Sequence, residues 1–394
     1  MSKNFWRYDD EEKKNILDSI ESGFKNKWNV VLEEKFSSLI NTKYAIGVNS
    51  GTSALHASLF ACGVKAGDEV ITTPLTFAAP AIASHLLGAT TVFADIDPKT
   101  FNIDINQIKK RITDRTKAII PVSLYGLPTN IDEIMLLASS KNIKVIEDNA
   151  ECLLGSYPCG NIAGSKADIS IFSFQRSKHI TSETGGIIVS NDSALAERAR
   201  KFSILGYQTL GPESIGKSVT KDQIQNPKFI RHDFVAPNYR LAELCAAAMV
   251  AQVEKAEILV TKRIQIANLY KERIKSCDWI VAQYIPKGFK HSYWTYTVKI
   301  DINKSPVSWK KFREIYVDEG GSPFYAAWLP VYLEPAFYKK KEGETGRIYE
   351  SGLCPIVEEL QPQLIQLKTN FANLDLANRQ AEILEKTIRK CQKM

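Results

Sequence analysis

Three short stretches of this 394-residue chain carry residue types that could do chemistry together. The first is Ser50-Gly51-Thr52-Ser53, between an apolar run and a helical pattern. Free backbone amides at a helix start, beside small hydroxyl side chains, make a cradle suited to phosphate. The same residues would also serve as an ordinary N-cap. The second is Glu147-Asp148, directly after the strand-like Lys144-Val145-Ile146. A carboxylate there can hold a metal or a protonated ring nitrogen, or can cap the next helix. No His or Cys recurs nearby at ligand spacing, so a metal is the weakest of these readings. The third is Lys178, four residues past Phe174, where an apolar β-branched run ends, and just ahead of Gly185-Gly186. A lysine drawn partly out of water loses proton affinity and becomes a nucleophile able to form a Schiff base. Most lysines are solvated surface residues, so Lys178 by itself establishes nothing.

The elements that must hold these groups follow from periodicity. Ile16, Ile20 and Phe24, then Val31, Leu32, Phe36 and Leu39, have helical spacing and predict helices over 10–40, outside the first strand. Residues 44–48 read as a short buried strand, with further strands expected at 69–72, 91–95, 118–124, 144–146, 169–174 and 186–189. Helical patterns fill 79–87, 105–112 and 131–138. Short, nearly all-apolar strands separated by helices imply a mainly parallel sheet covered on both faces. Residues 175–185 are too few for a helical crossover, so the last two strands leave simple βαβ order. Each chemical stretch then falls at a strand end, the edge where open α/β sheets place their ligands.

Residues 206–237 break the rhythm with Gly206, Gly211, Pro212, Gly216, Pro227 and Pro237; a long loop in a compact protein is more often functional than idle. From 241 to 274 sustained helical spacing predicts one long helix leaving the first domain. A strand at 293–300, a helix near 309–317, an irregular aromatic stretch at 323–338 and a closing helix from Asn373 follow. The expectation is an α/β chain with a large domain over 1–249 and a smaller C-terminal α/β domain over 250–394.

Hydrophobic residues make up 44% of the chain and charged ones 24%, which removes disordered and fibrous classes. No apolar run approaches the roughly 18–20 residues of a membrane span, and the N-terminus lacks a secretory pattern. A cytoplasmic chain without a membrane span is therefore expected. Seven cysteines, scattered and never spaced C-x-x-C, argue against a disulfide framework or structural zinc and for a reducing compartment. The net charge of +7 is the small difference of 51 basic and 44 acidic residues, with no basic tract. Such diffuse charge is a poor signature for nucleic acid but would suit an anionic small substrate. Neither G-x-G-x-x-G nor G-x-x-x-x-G-K-[ST] occurs, which lowers the dinucleotide and P-loop alternatives.

A phosphate cradle, a carboxylate for a pyridinium nitrogen and a Schiff-base lysine at one sheet edge are the parts of a pyridoxal phosphate site. An ordered set of motifs extends this. It runs through Val48-Asn49-Ser50-Gly51-Thr52-Ser53-Ala54-Leu55, Gly67-Asp68-Glu69-Val70-Ile71 with Thr76-Phe77, and Val92-Phe93-Ala94-Asp95-Ile96-Asp97. It continues through Ile119-Ile120-Pro121-Val122 with Tyr125-Gly126, and Val145-Ile146-Glu147-Asp148-Asn149-Ala150-Glu151. Asp168-Ile169, Phe172-Ser173-Phe174, Lys178, Gly185-Gly186 and Asn238-Tyr239-Arg240-Leu241 complete it. Over nearly its whole length the chain resembles the DegT/DnrJ/EryC1/StrS sugar aminotransferases.

The resemblance implies the type I aminotransferase fold and a role for each matching residue. Lys178 would carry the cofactor as a Schiff base and move the proton. Asp148 would keep the pyridine nitrogen protonated, and Phe77 would stack on the ring. The backbone amides of Thr52 and Ser53, with the Ser173 hydroxyl, would bind the phosphate. Asn238 would reach the phosphate of the neighbouring subunit, so a homodimer is implied. Taken singly, Phe77 is equally a core residue, Ser173 a strand hydroxyl and Asn238 a turn residue. Three features depart from the family pattern. Glu183-Thr184 stands where relatives have Gly and an acid; at the position that would contact the cofactor hydroxyl this chain has Glu151, as perosamine-type members do, where many relatives have Gln or His; the 206–237 loop is long.

The implied reaction is amination of a keto sugar, nucleotide-linked, with L-glutamate as donor, in lipopolysaccharide, glycoconjugate or natural-product sugar synthesis. A free keto sugar acid such as a keto-octulosonate is an alternative substrate. A second alternative is a pyridoxal or pyridoxamine phosphate-dependent nucleotide-sugar 3-dehydratase, to which Glu147-Asp148-Asn149 and His179-Ile180-Thr181 are similar; those enzymes have His where this chain has Lys178. A third is a cofactor-binding regulator without turnover. Tyr325, Trp328, Arg231 and His232 are candidates for the sugar site, with core packing or a solvated loop as the plain readings of the same residues.

Overall fold

The computed structural model describes residues 6–25, 27–208, 220–337 and 349–394. Seven strands form one sheet: β1 (Tyr44–Val48), β2 (Glu69–Thr72), β3 (Thr90–Phe93), β4 (Thr116–Ile120), β5 (Lys144–Asp148), β6 (Ile169–Ser173) and β7 (Gly186–Ser190). Their order is β1-β7-β6-β5-β4-β2-β3. Neighbours run parallel except at β7, which is antiparallel to both β1 and β6. The return of β7 against β6 is what a linker with no helix in it permits.

The apolar strands are buried on both faces, as a helix-covered sheet requires. Side-chain alternation divides them. Ile169, Ile171 and Ile188 point into a core with Leu55 and Leu59 of helix Gly51–Ala61 and Leu195 and Phe202 of helix Ser193–Ser203. Phe172, Ile187 and Val189 point the other way, against Leu32 and Phe36 of helix Lys27–Ile40 and Met249 and Val250 of helix Glu243–Glu254. There Phe36 meets Phe172 edge-on at 5.1 Å and Phe174 at 5.7 Å. Each such side chain contributes about 1.5–3 kcal/mol on full burial.

Four further strands, β8 (Ile280–Ala282), β9 (Thr295–Ile300), β10 (Tyr325–Ala326) and β11 (Leu364–Lys368), make a second, antiparallel sheet in the order β10-β11-β9-β8. Helices Ala256–Ile274, Trp309–Asp318 and Leu374–Cys391 supply its apolar cover through Ile266, Tyr270, Phe312 and Leu384. Periodicity anticipates only β9 among these four, because β8 and β10 are too short to show an alternation. The long helix expected over 241–274 is two helices, broken at Lys255, whose φ of −97° and ψ of 2° leave the helical region. No Gly or Pro marks that break; the Lys255 ammonium reaches Asp9 at 2.9 Å and Glu12 at 2.6 Å beside it.

The base of the 206–237 segment is closed by bridges Ile204↔Asn238 and Tyr207↔His232, and it holds a short helix, Lys221–Gln225. Residues 209–219 of that segment, with Gly211, Pro212 and Gly216, lie outside the described residues, as does Tyr338 of the aromatic stretch. No helix among the described residues is long and apolar enough to cross a membrane.

Register brings three strand ends together. Gly186 at the start of β7 pairs with Val48 at the end of β1 and with Ser173 at the end of β6. A Cβ on Gly186 would lie 2.6 Å from the Ser50 carbonyl carbon and oxygen and 2.8 Å from the Gly51 nitrogen. Backbone atoms cannot swing aside, so Gly186→Ala should cost about 1–3 kcal/mol, the usual toll of overpacking, read as a lowered urea midpoint. An unchanged midpoint would contradict this register.

Candidate active site

Where β1, β5 and β6 end, a cavity of about 600 Å³ opens, lined among others by Gly51, Thr52, Phe77, Asp148, Glu151, Ser173, Lys178, Trp294, Tyr325 and Trp328. A larger cleft of about 870 Å³ lies elsewhere, between residues 98–101 and 281–301. It contains neither Lys178 nor the buried acids, so chemistry and not size locates the site.

The cavity floor is the start of helix Gly51–Ala61. Ser50 caps it by accepting the Ser53 amide at 3.0 Å, and the Ser53 hydroxyl donates to Asn49 at 2.6 Å. Capping and anion binding therefore divide the turn between them. The Ser53 amide, expected to face phosphate, is taken by the cap, whereas the Gly51 and Thr52 amides precede the first intrahelical bond and stay available. A Cβ on Gly51 would come within 3.1 Å of the Ser173 Cβ and 3.4 Å of its hydroxyl oxygen. That close approach puts Ser173 against the first turn, in the geometry of an anion cradle.

Asp148 closes β5 and is 4% exposed. Its Oδ1 accepts the Ala150 amide at 3.0 Å, and no described cation is within ion-pair distance. Burial raises its pKa from 3.8 to about 6, against the opposing pull of that amide and of Lys178. Glu151 is equally buried. Its Oε2 accepts the Tyr125 amide at 3.1 Å and its Oε1 stands 3.3 Å from the Lys178 amine. Burial pushes the Glu151 carboxyl up too, and Lys178 partly offsets this. The Lys178 side chain is 15% exposed, and its ammonium also sits 4.3 Å from the centroid of the Trp294 ring.

Phe77 is 58% exposed, which removes the core-packing reading, and it meets Trp328 edge-on at 6.1 Å. Trp328 in turn lies parallel to Trp294 at 6.0 Å. Tyr325, with the Lys368 ammonium 5.7 Å from its ring, completes an aromatic wall. Asn238, Arg231 and His232 are exposed and outside the lining of this cavity. Asn238 accepts from Arg240 at 3.0 Å, Arg231 lies over Phe229, and His232 bonds the Leu205 carbonyl at 2.8 Å. Trp294 and Gln366 line the cavity without having been singled out from sequence. Both belong to segments in which nothing local tells a cavity wall from a sheet face.

The loop that departs from the family pattern is well bonded. Glu183 takes φ +75°, the region a glycine favours. Its amide donates to the Thr181 hydroxyl at 2.9 Å and its carbonyl accepts from Arg176 at 3.0 Å, and the Thr184 hydroxyl donates to the Asn49 carbonyl at 3.2 Å.

These residues fit pyridoxal phosphate. The cradle has free amides and a hydroxyl for a phosphate, the buried Asp148 carboxylate has no ion-pair partner among the described residues, and the Lys178 side chain lines the same cavity. The raised Asp148 value makes a stability prediction for the cofactor-free protein. Below about pH 4 the acid is protonated folded or unfolded, and its stabilising contribution is complete. As pH rises through about 6 the native state is left with a buried carboxylate and that contribution is lost. Asp148→Asn should therefore match the wild type below about pH 4 and be more stable by about 1–3 kcal/mol above pH 6. Denaturant unfolding at the two pH values measures this, and equal stability at both would contradict the assigned burial.

Comparison with known proteins gives the family and the fold. The family model of the DegT/DnrJ/EryC1/StrS aminotransferases matches residues 7–369. GDP-perosamine synthase of Escherichia coli O157:H7 is 36% identical over 282 residues, which is 72% of this chain and 72% of that protein. An aminotransferase from Psychrobacter cryohalolentis superposes with a TM-score of 0.88 at 25% identity, covering 98% of both chains. Helicobacter pylori PseC, an aminotransferase involved in the biosynthesis of pseudoaminic acid, gives 0.81 at 26% identity over 97% of each. Motif order, fold and the composition of the cavity converge: the chain belongs to the DegT/DnrJ/EryC1/StrS aminotransferase family, and is a pyridoxal phosphate-dependent aminotransferase.

Proposed function

We propose that the chain aminates a nucleotide-linked keto-deoxysugar, taking the amino group from L-glutamate, as a cytoplasmic homodimer. The observation that carries this reading is the Lys178 amine, held 3.3 Å from Glu151 and over the Trp294 face in the cavity that also contains Asp148. The nucleotide-linked substrate is supported by the likeness to GDP-perosamine synthase.

Pyridoxal phosphate, when bound, supplies the carbonyl that exchanges with amines and the ring that takes up the electron pair. The chain does the rest. The Gly51 and Thr52 amides and the Ser173 hydroxyl hold the phosphate, and Phe77 offers an aromatic face to the ring. The Asp148 carboxylate holds the ring proton. The Lys178 Nζ is the nucleophile and the proton carrier, and Glu151 Oε1 steadies it when charged. Trp328 and Tyr325 offer flat apolar surface to the sugar. A partner subunit would cover exposed apolar residues, Phe77 and Tyr325 of the cavity lining and Ile82, Leu86 and Leu329 beyond it. Asn238, exposed in this chain, would then reach the partner's phosphate site.

The 3-dehydratase alternative needs a histidine in place of the lysine. His179 does not meet that need: its ring is 1% exposed and its Nε2 lies 3.0 Å from the Ser292 carbonyl. Burial, and then the Arg263 charge, hold it well below the usual histidine range.

Cofactor-loaded protein given L-glutamate and a panel of keto sugars, nucleotide-linked and free, should yield an amino sugar detectable by mass from a nucleotide-linked member. Lys178→Ala should yield none. Asp148→Asn should lose roughly 10²–10³ in kcat, the loss seen when one preorganised electrostatic partner is removed. A deoxygenated keto sugar as product, or turnover by Lys178→Ala, would overturn the proposal; amination of a free sugar acid alone would overturn its substrate.

A further inference from the structure

Two guanidinium groups, one N-terminal and one C-terminal to it in sequence, meet on the backbone of the reacting lysine. Arg263, on helix Ala256–Ile274, is 3% exposed. Its Nη2 donates to the Lys178 carbonyl at 3.0 Å and the Ser177 carbonyl at 3.2 Å, and its Nη1 to the Trp294 carbonyl at 2.8 Å and the Thr369 hydroxyl at 3.1 Å. Arg7, from the segment ahead of helix Asp10–Glu21, donates to the carbonyls of Lys178, His179 and Arg176. Trp294 joins them, its indole N–H reaching the Ser177 carbonyl at 2.9 Å while its ring faces the Lys178 amine.

Neither arginine has an ion-pair partner among the described acids. A buried cation without a counter-ion is costly unless its donors are all used, and burial lowers Arg263 to about 9. Here the donors are spent on one loop, 176–179, and on the strand foot that carries Trp294. Charge-assisted bonds to a carbonyl are stronger and shorter than neutral ones. Two of them on one oxygen fix the Lys178 peptide plane, and with it the direction of Cα–Cβ. Arg7 is itself anchored, since its carbonyl accepts from Gln252 at 2.8 Å and Lys255 at 3.3 Å, and the neighbouring Tyr8 hydroxyl donates to the Thr181 carbonyl at 2.6 Å. The N-terminal segment thus runs along the lysine loop on one side, and Arg263 grips it from the other.

We propose that Arg7 and Arg263 are positioning residues which clamp the Lys178 peptide, so that its amine stays aimed between Glu151 and Trp294, and that turnover depends on both grips. The inference rests on the aminotransferase activity of the family and not on the identity of the sugar.

The test uses full-length, cofactor-loaded Arg7→Gln, Arg7→Lys and Arg263→Lys, with the fold followed by far-UV circular dichroism. Arg7→Gln should lower kcat roughly ten- to a hundredfold, because misplacing a reacting group by about 1 Å costs up to ~10², with KM for glutamate within about threefold. It should also weaken the ellipticity of the cofactor's visible band per unit absorbance. In cofactor-free protein it should change the rate at which an amine-reactive acylating reagent labels Lys178, read by peptide mass. Arg7→Lys, which keeps a donor and a charge, should recover part of each loss, and Arg263→Lys should show the same signature. Folded Arg7 variants with kcat within twofold of wild type and unchanged ellipticity and labelling would overturn the proposal. So would loss of the fold in Arg7→Gln, which would make the contact a structural one. Arg7 is partly exposed, and its variants decide the matter if Arg263→Lys does not fold.

Discussion

The structure turns on an incomplete charge balance beneath one lysine. Asp148 and Glu151 are both buried at the end of β5, and Lys178 is the cation among the described residues that lines the cavity with them. Taking two carboxylates out of water against one ammonium is unfavourable, which is why burial raises the proton affinity of both acids. Lys178 and Glu151 are in contact, so the unmet demand falls on Asp148. A ligand that carries a protonated ring nitrogen and a phosphate answers it twice, at Asp148 and at the helix start. Under the proposed assignment, stability of the empty protein is given up in advance at the position that would hold the cofactor, a familiar exchange at functional sites.

Sheet topology makes this arrangement possible. Because β7 runs antiparallel between β1 and β6, the glycine at its start abuts the strand ends that carry the cradle and Ser173. A side chain there would meet the Ser50 backbone. The lysine loop joins β6 to β7, so it hangs over the same edge and needs little length to reach Asp148. The second sheet adds the other wall, through Trp294 at the foot of β9, Tyr325 and Ala326 in β10, and Gln366 in β11.

Much of this was legible in the sequence where the signal is local. Lys178, Asp148, Ser173 and Thr52 each sit at or just past a strand end that periodicity locates, and the short linker before Gly186 indicated that the last two strands leave simple βαβ order, without giving the direction of β7. Phe77 was named through the family motif, and only the structure removed its core reading. Capping and phosphate binding compete for the same donors in this turn, and the Ser53 amide, expected to face phosphate, bonds the Ser50 hydroxyl. What sequence could not give is long-range. Arg7 and Arg263 lie 171 and 85 residues from Lys178 in sequence, Trp294 looks like any strand aromatic, and strands as short as β8 and β10 have no alternation to read. The break at Lys255 carries no Gly or Pro, and the lysine is held there by Asp9 and Glu12.

The most direct measurement asks which lysine holds the cofactor. Pyridoxal phosphate added to the purified protein, trapped by borohydride reduction and located by peptide mass mapping, should be found on Lys178 in near-stoichiometric amount. A trapped cofactor on any other lysine, or none at all, would contradict the account.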